Sequence, residues 1–283
     1  MQKSDKLPSR GSRPRHGLGL CQSTRVLCSR RRRVGGGSLT QASLNDGPEL
    51  LGLGLYTIPD AARLLSLEVG SRVSAPRLYR WIRGYDYAYG AEKRHSDRIV
   101  TPSLMFPGQT IATFQELVEL LVIGAFKHQG VSYQTIRWAH DRAKKLYSHN
   151  HPFATRNYST DGVGIFTTER DPLANVDQEL TEELSHYQLA FRSVVEPFYR
   201  NLEYNVDDVA VRLWPLGVNS KVVLDPMISF GKPVESSTCV PTWVLYETFQ
   251  AEKSVAAVAD WYNVPPEGVT DAIRYETKIC SKN

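Results

Sequence analysis

The chain has 283 residues, 41% hydrophobic, 23% charged and 10% aromatic, ordinary globular usage that excludes collagenous, wholly disordered and disulfide-scaffold classes. Its formal net charge of +4 conceals three regions. Residues 1–50 carry 10 Lys+Arg against 3 Asp+Glu, residues 51–158 carry 14 against 8, and residues 159–283 carry 10 against 19, giving +7, +6 and −9.

No run reaches the roughly 18–20 apolar residues that span a bilayer, so a soluble protein with no membrane partner is expected. Cys21, Cys28, Cys239 and Cys280 have no CxxC spacing and no paired histidines nearby, which supports neither a zinc site nor a disulfide framework. No metal or cofactor is expected, and the plain reading is a reducing cytoplasm.

Residues 1–50 read as a disordered basic arm, with Arg30 to Arg33 in a row before Gly35-Gly36-Gly37. Such composition buries too little surface to offset chain entropy. A secretory signal is excluded because no apolar stretch follows the charges. An inert arm, a start placed too far upstream, an electrostatic DNA-binding arm and a transit peptide stay open. A start inside this stretch would need a non-ATG codon, since the Met after Met1 is Met105.

Order begins at Tyr56. Thr57 with Asp60 makes a capping pattern with Pro59 in the first turn, so a short helix starts here. After a turn at Gly70, Ser74 caps a second helix over Ala75–Arg83 that Gly84 stops. Ala75, Leu78, Tyr79 and Ile82 fall on one side of it and Arg77, Arg80 and Arg83 on the other. Two short helices, the second with an arginine stripe, suit a recognition helix entering the major groove; a solvated charged face on a helical bundle is the plainer alternative. The β-prone runs 85–90 and 98–101 then bracket a basic tip of Lys93, Arg94 and His95, which reads as a wing. The expected DNA-binding residues are Ser74, Arg77, Arg80, Arg83, Lys93, Arg94 and Arg98. Tyr85, Tyr87 and Tyr89 alternate and are expected on one hairpin face.

A helix follows over 114–127, with Thr113 and Glu116 in capping-box relation and apolar residues on almost every side. Such a helix must be covered all round, and a second subunit is expected to supply part of the cover, with Leu117, Leu121 and Phe126 at a homodimer interface. Ser132 caps another helix, Tyr133 to Tyr147, with Ile136, Ala139, Ala143 and Leu146 as its buried stripe and Arg137, Arg142, Lys144 and Lys145 on the remaining surface. The layout resembles the MerR-type winged helix arrangement.

In the acidic half, residues 159–205 form a connecting segment with short strands over Gly162 to Thr167, acidic residues Asp177, Glu179, Glu182 and Glu183, and a helix from Tyr187 to Tyr199. Residues 206–283 read as a β-hairpin, 209–215 and 221–224, followed by helices over 242–251, 255–262 and 266–277. The fold class expected is mainly α with small β elements: a winged helix-turn-helix domain over 51–158, then a β-hairpin plus three-helix domain.

The stretch Val223-Leu224-Asp225-Pro226-Met227-Ile228-Ser229-Phe230-Gly231-Lys232-Pro233-Val234, then 238–242, 254–262 and 266–273, resembles the small domain-of-unknown-function family found in VapB-like antitoxins. Upstream, 56–62, 81–85, 114–120 and 130–137 resemble the winged DNA-binding domain paired with it, so the resemblance spans about 52–277. Two departures stand out: Ser237-Thr238-Cys239 occupies the place of the usual Gly-Thr-Arg, and Glu252-Lys253-Ser254 that of a Gly-containing turn. The resemblance implies a type II antitoxin that represses its own operon by binding operator DNA and holds a VapC-type PIN-domain ribonuclease inactive. The +6 region suits phosphates, and the −9 region suits a protein partner.

An enzyme needs a nucleophile with a base, converging carboxylates or a metal set. His149 and His151 read as a turn beside Pro152, and Asp225-Pro226 as turn chemistry. Asp207-Asp208 with Asp225 could be imagined as a nuclease carboxylate cluster, but no Gly-rich phosphate loop or Gly-x-Ser-x-Gly occurs. Binding and regulation are therefore expected over catalysis; a protein-binding scaffold, or a winged-helix regulator without a toxin, is the alternative.

Overall fold

The computed structural model describes residues 50, 52–70, 72–90, 92–104, 108–162 and 187–281. The N-terminal arm, the tract 163–186 with its expected strand and acidic residues, and the last two residues lie outside the described residues. What is described is a mixed fold, mainly helical with three small antiparallel sheets.

Helix α1, Ile58–Glu68, starts where Thr57 Oγ1 accepts the Asp60 N–H, and it buries Ile58, Ala61, Ala62, Leu64 and Leu65. Ser66 pins the following turn: its hydroxyl donates to the Ala62 carbonyl at 2.7 Å and accepts the Val73 N–H at 2.8 Å. Helix α2 is Ala75–Arg83, with Leu78, Trp81 and Ile82 inward. Gly84 ends it at φ +76°, and a Cβ there would lie 2.7 Å from the Ser96 carbonyl oxygen, so the close approach of hairpin to helix requires glycine.

Strands β2, Tyr85–Tyr89, and β3, Glu92–Ser96, pair antiparallel with Tyr87 opposite Arg94. This corrects the expected wing. The second strand begins at Glu92, so Lys93, Arg94 and His95 belong to it and not to the tip, and residues 98–101 are not a strand. The reason lies in α2: Ile99 and Val100 are buried, and both donate their N–H to the Trp81 carbonyl, at 2.7 and 3.1 Å. Tyr56–Thr57 (β1) pairs with Ile111–Ala112 (β4) at the entrance to the next helix.

Helix α3, Phe114–His128, opens with both halves of the Thr113–Glu116 capping box. Leu117, Val118 and every residue from Leu120 to Phe126 are buried. The cover comes from the chain itself: α1, α4 (Tyr133–Tyr147), the 3-10 turn Pro152–Ala154, the helical stretch 187–199 (α6) and strand β6 (Ala210–Leu213) all pack on it. Leu117, Leu121 and Phe126, expected at a subunit interface, are therefore interior residues of one chain. On α4 the buried set is Thr135, Ile136, Ala139, His140 and Ala143, whereas Leu146, expected in that stripe, is 62% exposed.

After the short helix α5, Arg156–Asp161, the aromatic side of α6 closes the core. Phe126 stacks on Tyr187 at 4.6 Å, Tyr158 and Tyr187 share a hydroxyl hydrogen bond, and Tyr199 donates to the Phe153 carbonyl at 2.7 Å. Helix α6 contains a π-helical turn, Phe191–Val195, just before Pro197, a residue that withdraws one backbone donor from the ladder.

The expected hairpin is part of a larger sheet, four antiparallel strands in the order β5 (Leu202–Tyr204), β6, β7 (Val222–Leu224) and β8 (Pro233–Glu235). Three helices follow, α7 (Thr242–Glu252), α8 (Val255–Tyr262) and α9 (Pro266–Cys280), around a small core that includes Leu245, Val258 and Val269. Helix α9 also packs on β7, β8 and α1, placing Tyr275 and Ile279 in the main core with Tyr56 and Leu65. Tyr56 donates its hydroxyl to the Gly231 carbonyl at 2.9 Å across 175 residues.

The α1–α3 crossing depends on Gly124. A Cβ at this position would stand 2.3 Å from Leu65 Cδ1, and Leu65 is fully buried. Gly124→Ala should gain about 1 kcal/mol of helix propensity and lose about 1–3 kcal/mol to overpacking. Urea unfolding is expected to show net destabilisation; a stabilised variant would mean that α1 has room to move away.

Candidate functional site

Helix α2 separates its two faces cleanly. Leu78, Trp81 and Ile82 anchor it inward, while Arg77, Arg80 and Arg83 are exposed. Ser74 stands at the N-cap but makes no capping bond through its hydroxyl. The arginines are not equivalent. Arg83 turns along its own chain, donating to Thr110 Oγ1 through Nε at 2.7 Å and lying over the Tyr79 ring at 5.1 Å. Arg80 sits over the Tyr85 ring at 5.3 Å, at the junction of helix and hairpin.

The hairpin adds Lys93, Arg94 and, just beyond it, Arg98, all exposed. Arg94 lies over the Tyr89 ring at 3.9 Å and 3.6 Å from Glu92, and His95 Nδ1 is 2.6 Å from Asp86. Arg80, Arg94 and the tyrosines thus hold one another by cation–π contacts in an exposed β-ribbon. The structure brings Arg77, Arg80 and the base of the hairpin together around Trp81, and leaves Arg83 apart on Thr110. Sequence reasoning missed Trp81 as the hub, although it lies three residues after Leu78 and belongs to the same apolar stripe.

A second missed group is buried. Glu119 is fully enclosed within α3, where His140 Nε2 reaches its Oε1 at 2.8 Å and His151 Nδ1 its Oε2 at 3.1 Å; His151 Nε2 continues to Ser103 Oγ at 2.9 Å. Burial alone would raise the Glu119 carboxyl, but the charge and hydrogen bonds of the histidines outweigh it and hold the group well below its ordinary value. Burial likewise works against protonation of His140, and the Glu119 charge, joined by Asp141 beside it, overcomes this and raises the imidazole to about 9. The signal was a carboxylate in the second turn of an apolar helix, beyond the capping Glu116 and with no cap to serve, which must find a cation. The group is an internal clamp between α3, α4 and the 151–154 turn. Among the described residues no cluster of His, Cys, Asp or Glu is arranged to hold a metal ion.

In the acidic half, Asp225 is engaged as turn chemistry predicts. It accepts the Met227 N–H at 2.8 Å and pairs with Arg212 Nε at 2.6 Å, while Arg212 also reaches Glu203 at 3.1 Å. Asp208 faces Arg156 at 3.3 Å. Where Ser237-Thr238-Cys239 departs from the usual pattern, buried Glu235 accepts hydrogen bonds from the N–H and hydroxyl of both Ser237 and Thr238. Met227, Phe230, Trp243 and Trp261 are exposed on this half.

Residues 222–275 match the family described as "Protein of unknown function (DUF433)". The chain is 28% identical over 228 residues to the protein named "Putative antitoxin VapB45" of Mycobacterium tuberculosis (strain ATCC 25618 / H37Rv), a match covering 77% of this chain and 92% of that protein. A solved structure titled "X-ray crystal structure of Rv2018 from Mycobacterium tuberculosis" superposes with a TM-score of 0.58 at 24% identity, covering 77% of this chain and 96% of that one. That likeness concerns the fold. No helix among the described residues is long and apolar enough to cross a membrane.

The buried clamp gives a pH dependence with a defined sign. The His140 contribution is complete below the ordinary 6.5 and disappears as pH rises through about 9. The Glu119 contribution is complete above the ordinary 4.5 and disappears in strong acid. Unfolding free energy measured in urea should therefore fall between pH 6.5 and 9. Glu119→Gln should flatten that fall and cost about 3–5 kcal/mol near pH 6, because it leaves a buried imidazole without its counter-charge. An unchanged slope in the variant would show that His140 is neutral in the folded protein.

Proposed function

We propose that this protein is the antitoxin of a type II toxin–antitoxin module, acting by binding and not by catalysis. In this reading it represses its own operon through a winged helix-turn-helix and neutralises a PIN-domain ribonuclease of the VapC type. The carrying observation is the similarity, along 228 residues, to a protein named as an antitoxin.

The geometry supports a DNA-facing role for the basic region. α1, a short turn, α2 and the β2–β3 hairpin follow in the order of a winged helix-turn-helix, resembling the MerR type, and α2 presents Arg77 and Arg80 opposite its buried face. Ser74, Arg83, Lys93, Arg94 and Arg98 complete the proposed DNA-binding set, in which Arg83 serves more to hold the helix to Thr110. Guanidiniums on such a helix can grip phosphates or the O6/N7 edge of guanine. Two copies on a two-fold operator would have to meet through a surface other than α3, whose apolar residues are interior.

Residues 206–283 are proposed to face the toxin. The −9 charge of the acidic half repels DNA and suits a protein partner, and exposed Met227, Phe230, Trp243 and Trp261 offer apolar surface of the kind partners cover.

Arg77→Ala with Arg80→Ala should weaken binding of the full chain to a duplex from its own promoter and lower the dependence of log K on log salt by about 2, with the circular dichroism spectrum unchanged. Unaltered binding would remove α2 from the DNA face. Co-expressed with the product of a neighbouring short gene encoding a PIN-like carboxylate cluster, the protein should co-purify with it. DNA binding without co-purification would favour a regulator that has no toxin.

A further inference from the structure

A cleft of about 180 Å³ opens beside the exposed face of α2. Its walls come from three separate parts of the chain: Arg77 and Arg80 of α2, Tyr85 and the 96–97 segment at the base of the hairpin, and Tyr133 with Arg137 from the start of α4. Three guanidinium side chains line it against a single carboxylate, that of Asp97, which is 86% exposed and lies 3.8 Å from His95 Nε2.

Arg137 is the residue that gives the cleft its chemistry. Its Nη2 donates to the Asp97 carbonyl at 2.6 Å and to Ser96 Oγ at 3.3 Å, which fixes the plane of the guanidinium. Its Nε–H is shielded from solvent and has no hydrogen-bond partner among the described residues. A buried donor without an acceptor is costly, the more so on a group that is always charged, and such a donor calls for a specific explanation in a folded protein. Tyr133 adds a hydroxyl that already accepts the Trp81 Nε1–H at 3.3 Å and so directs its own proton elsewhere. The cleft therefore presents donors from three directions around an excess of positive charge. A tetrahedral oxyanion, with acceptor oxygens on every side, matches that arrangement better than a planar carboxylate.

We propose that this cleft seats one backbone phosphate of a DNA duplex, with Arg137 as its fixed donor and Arg77 and Arg80 closing over it. The inference rests on the reading of α2 as the DNA-facing helix and extends it: α4 touches the nucleic acid too, and the base of the hairpin is the joint at which both helices meet the same strand. Phosphate contacts of this kind set register on the duplex without reading sequence.

The test uses the full chain and a duplex from its own promoter. Arg137→Lys keeps the charge and loses the fork and the Nε donor, and it should weaken binding about tenfold. Arg77→Gln, at an exposed position that no packing depends on, should lower the salt slope by about one. Lys145→Gln, on the exposed surface of α4 outside the cleft, should leave affinity within about twofold. Independently of DNA, titration with inorganic phosphate should shift the Nε–Hε resonance of Arg137 saturably, and less so in Arg77→Gln. Normal duplex binding by Arg137→Lys with an unmoved resonance would overturn the seat and leave the DNA reading intact. A resonance that responds to phosphate in a protein that binds no duplex would overturn the DNA source of the anion. Loss in neither assay, with duplex bound equally by all variants, would overturn the proposal outright.

Discussion

The fold turns on a single constraint: α3 is apolar on every side and carries a carboxylate at its centre. Hydrocarbon surface on all faces obliges the chain to wrap the helix, and Glu119 obliges two of the wrapping elements to bring a histidine. His140 arrives on α4 and His151 on the turn that follows it, so the ion pair fixes the order in which the covering elements stack. Apolar contacts alone would tolerate several such arrangements. A buried acid with two specific partners tolerates few, and it places α4, hence Arg137, at a defined distance from α2.

The cover of α3 also shows where sequence was informative and where it was not. Helix limits were legible because the caps are local: Thr57, Thr113 and Ser132 each accept the N–H three residues on, and Gly84 stops α2 through its own φ. The arginine face of α2 was legible from the same periodicity. What covers α3 was not legible, because part of the cover, α6 and β6, lies between 59 and 99 residues further along the chain, and no local pattern announces such a partner. A second subunit was the inference that periodicity permits and tertiary packing replaces. The hairpin failed for a related reason. Residues 98–101 are β-prone and apolar, but Ile99 and Val100 bind the end of α2, and the true second strand is the polar run from Glu92 to Ser96, which alternation in hydrophobicity could not mark. Trp81 and Arg137 acquire their roles only when that polar strand turns back onto the helix.

Charge is distributed over this frame as two surfaces and not as one average. The basic side is built from exposed side chains restrained by aromatic rings, Arg80 on Tyr85 and Arg94 on Tyr89, with Arg94 also 3.6 Å from Glu92. On the acidic side, by contrast, several carboxylates are already committed, Asp225 and Glu203 to Arg212 and Glu235 to the turn after it. The acidic half therefore offers less free negative charge than its composition suggests, and its exposed tryptophans stand out more against it. Recognition there is expected to be driven by shape and apolar contact, with charge serving to exclude nucleic acid.

The bond from the Tyr56 hydroxyl to the Gly231 carbonyl, with α9 lying against α1, ties the first described helix to the last. Cutting the gene between the two halves would leave Tyr56, Leu65, Tyr275 and Ile279 without the surfaces that bury them, so neither fragment carries a complete interior. Loss of the C-terminal helix by a protease would likewise strip α1 of its backing and loosen the scaffold on which α2 stands. A single clip near the C-terminus would thus act on the opposite end of the polypeptide, with no signal needed beyond the missing weight of one helix.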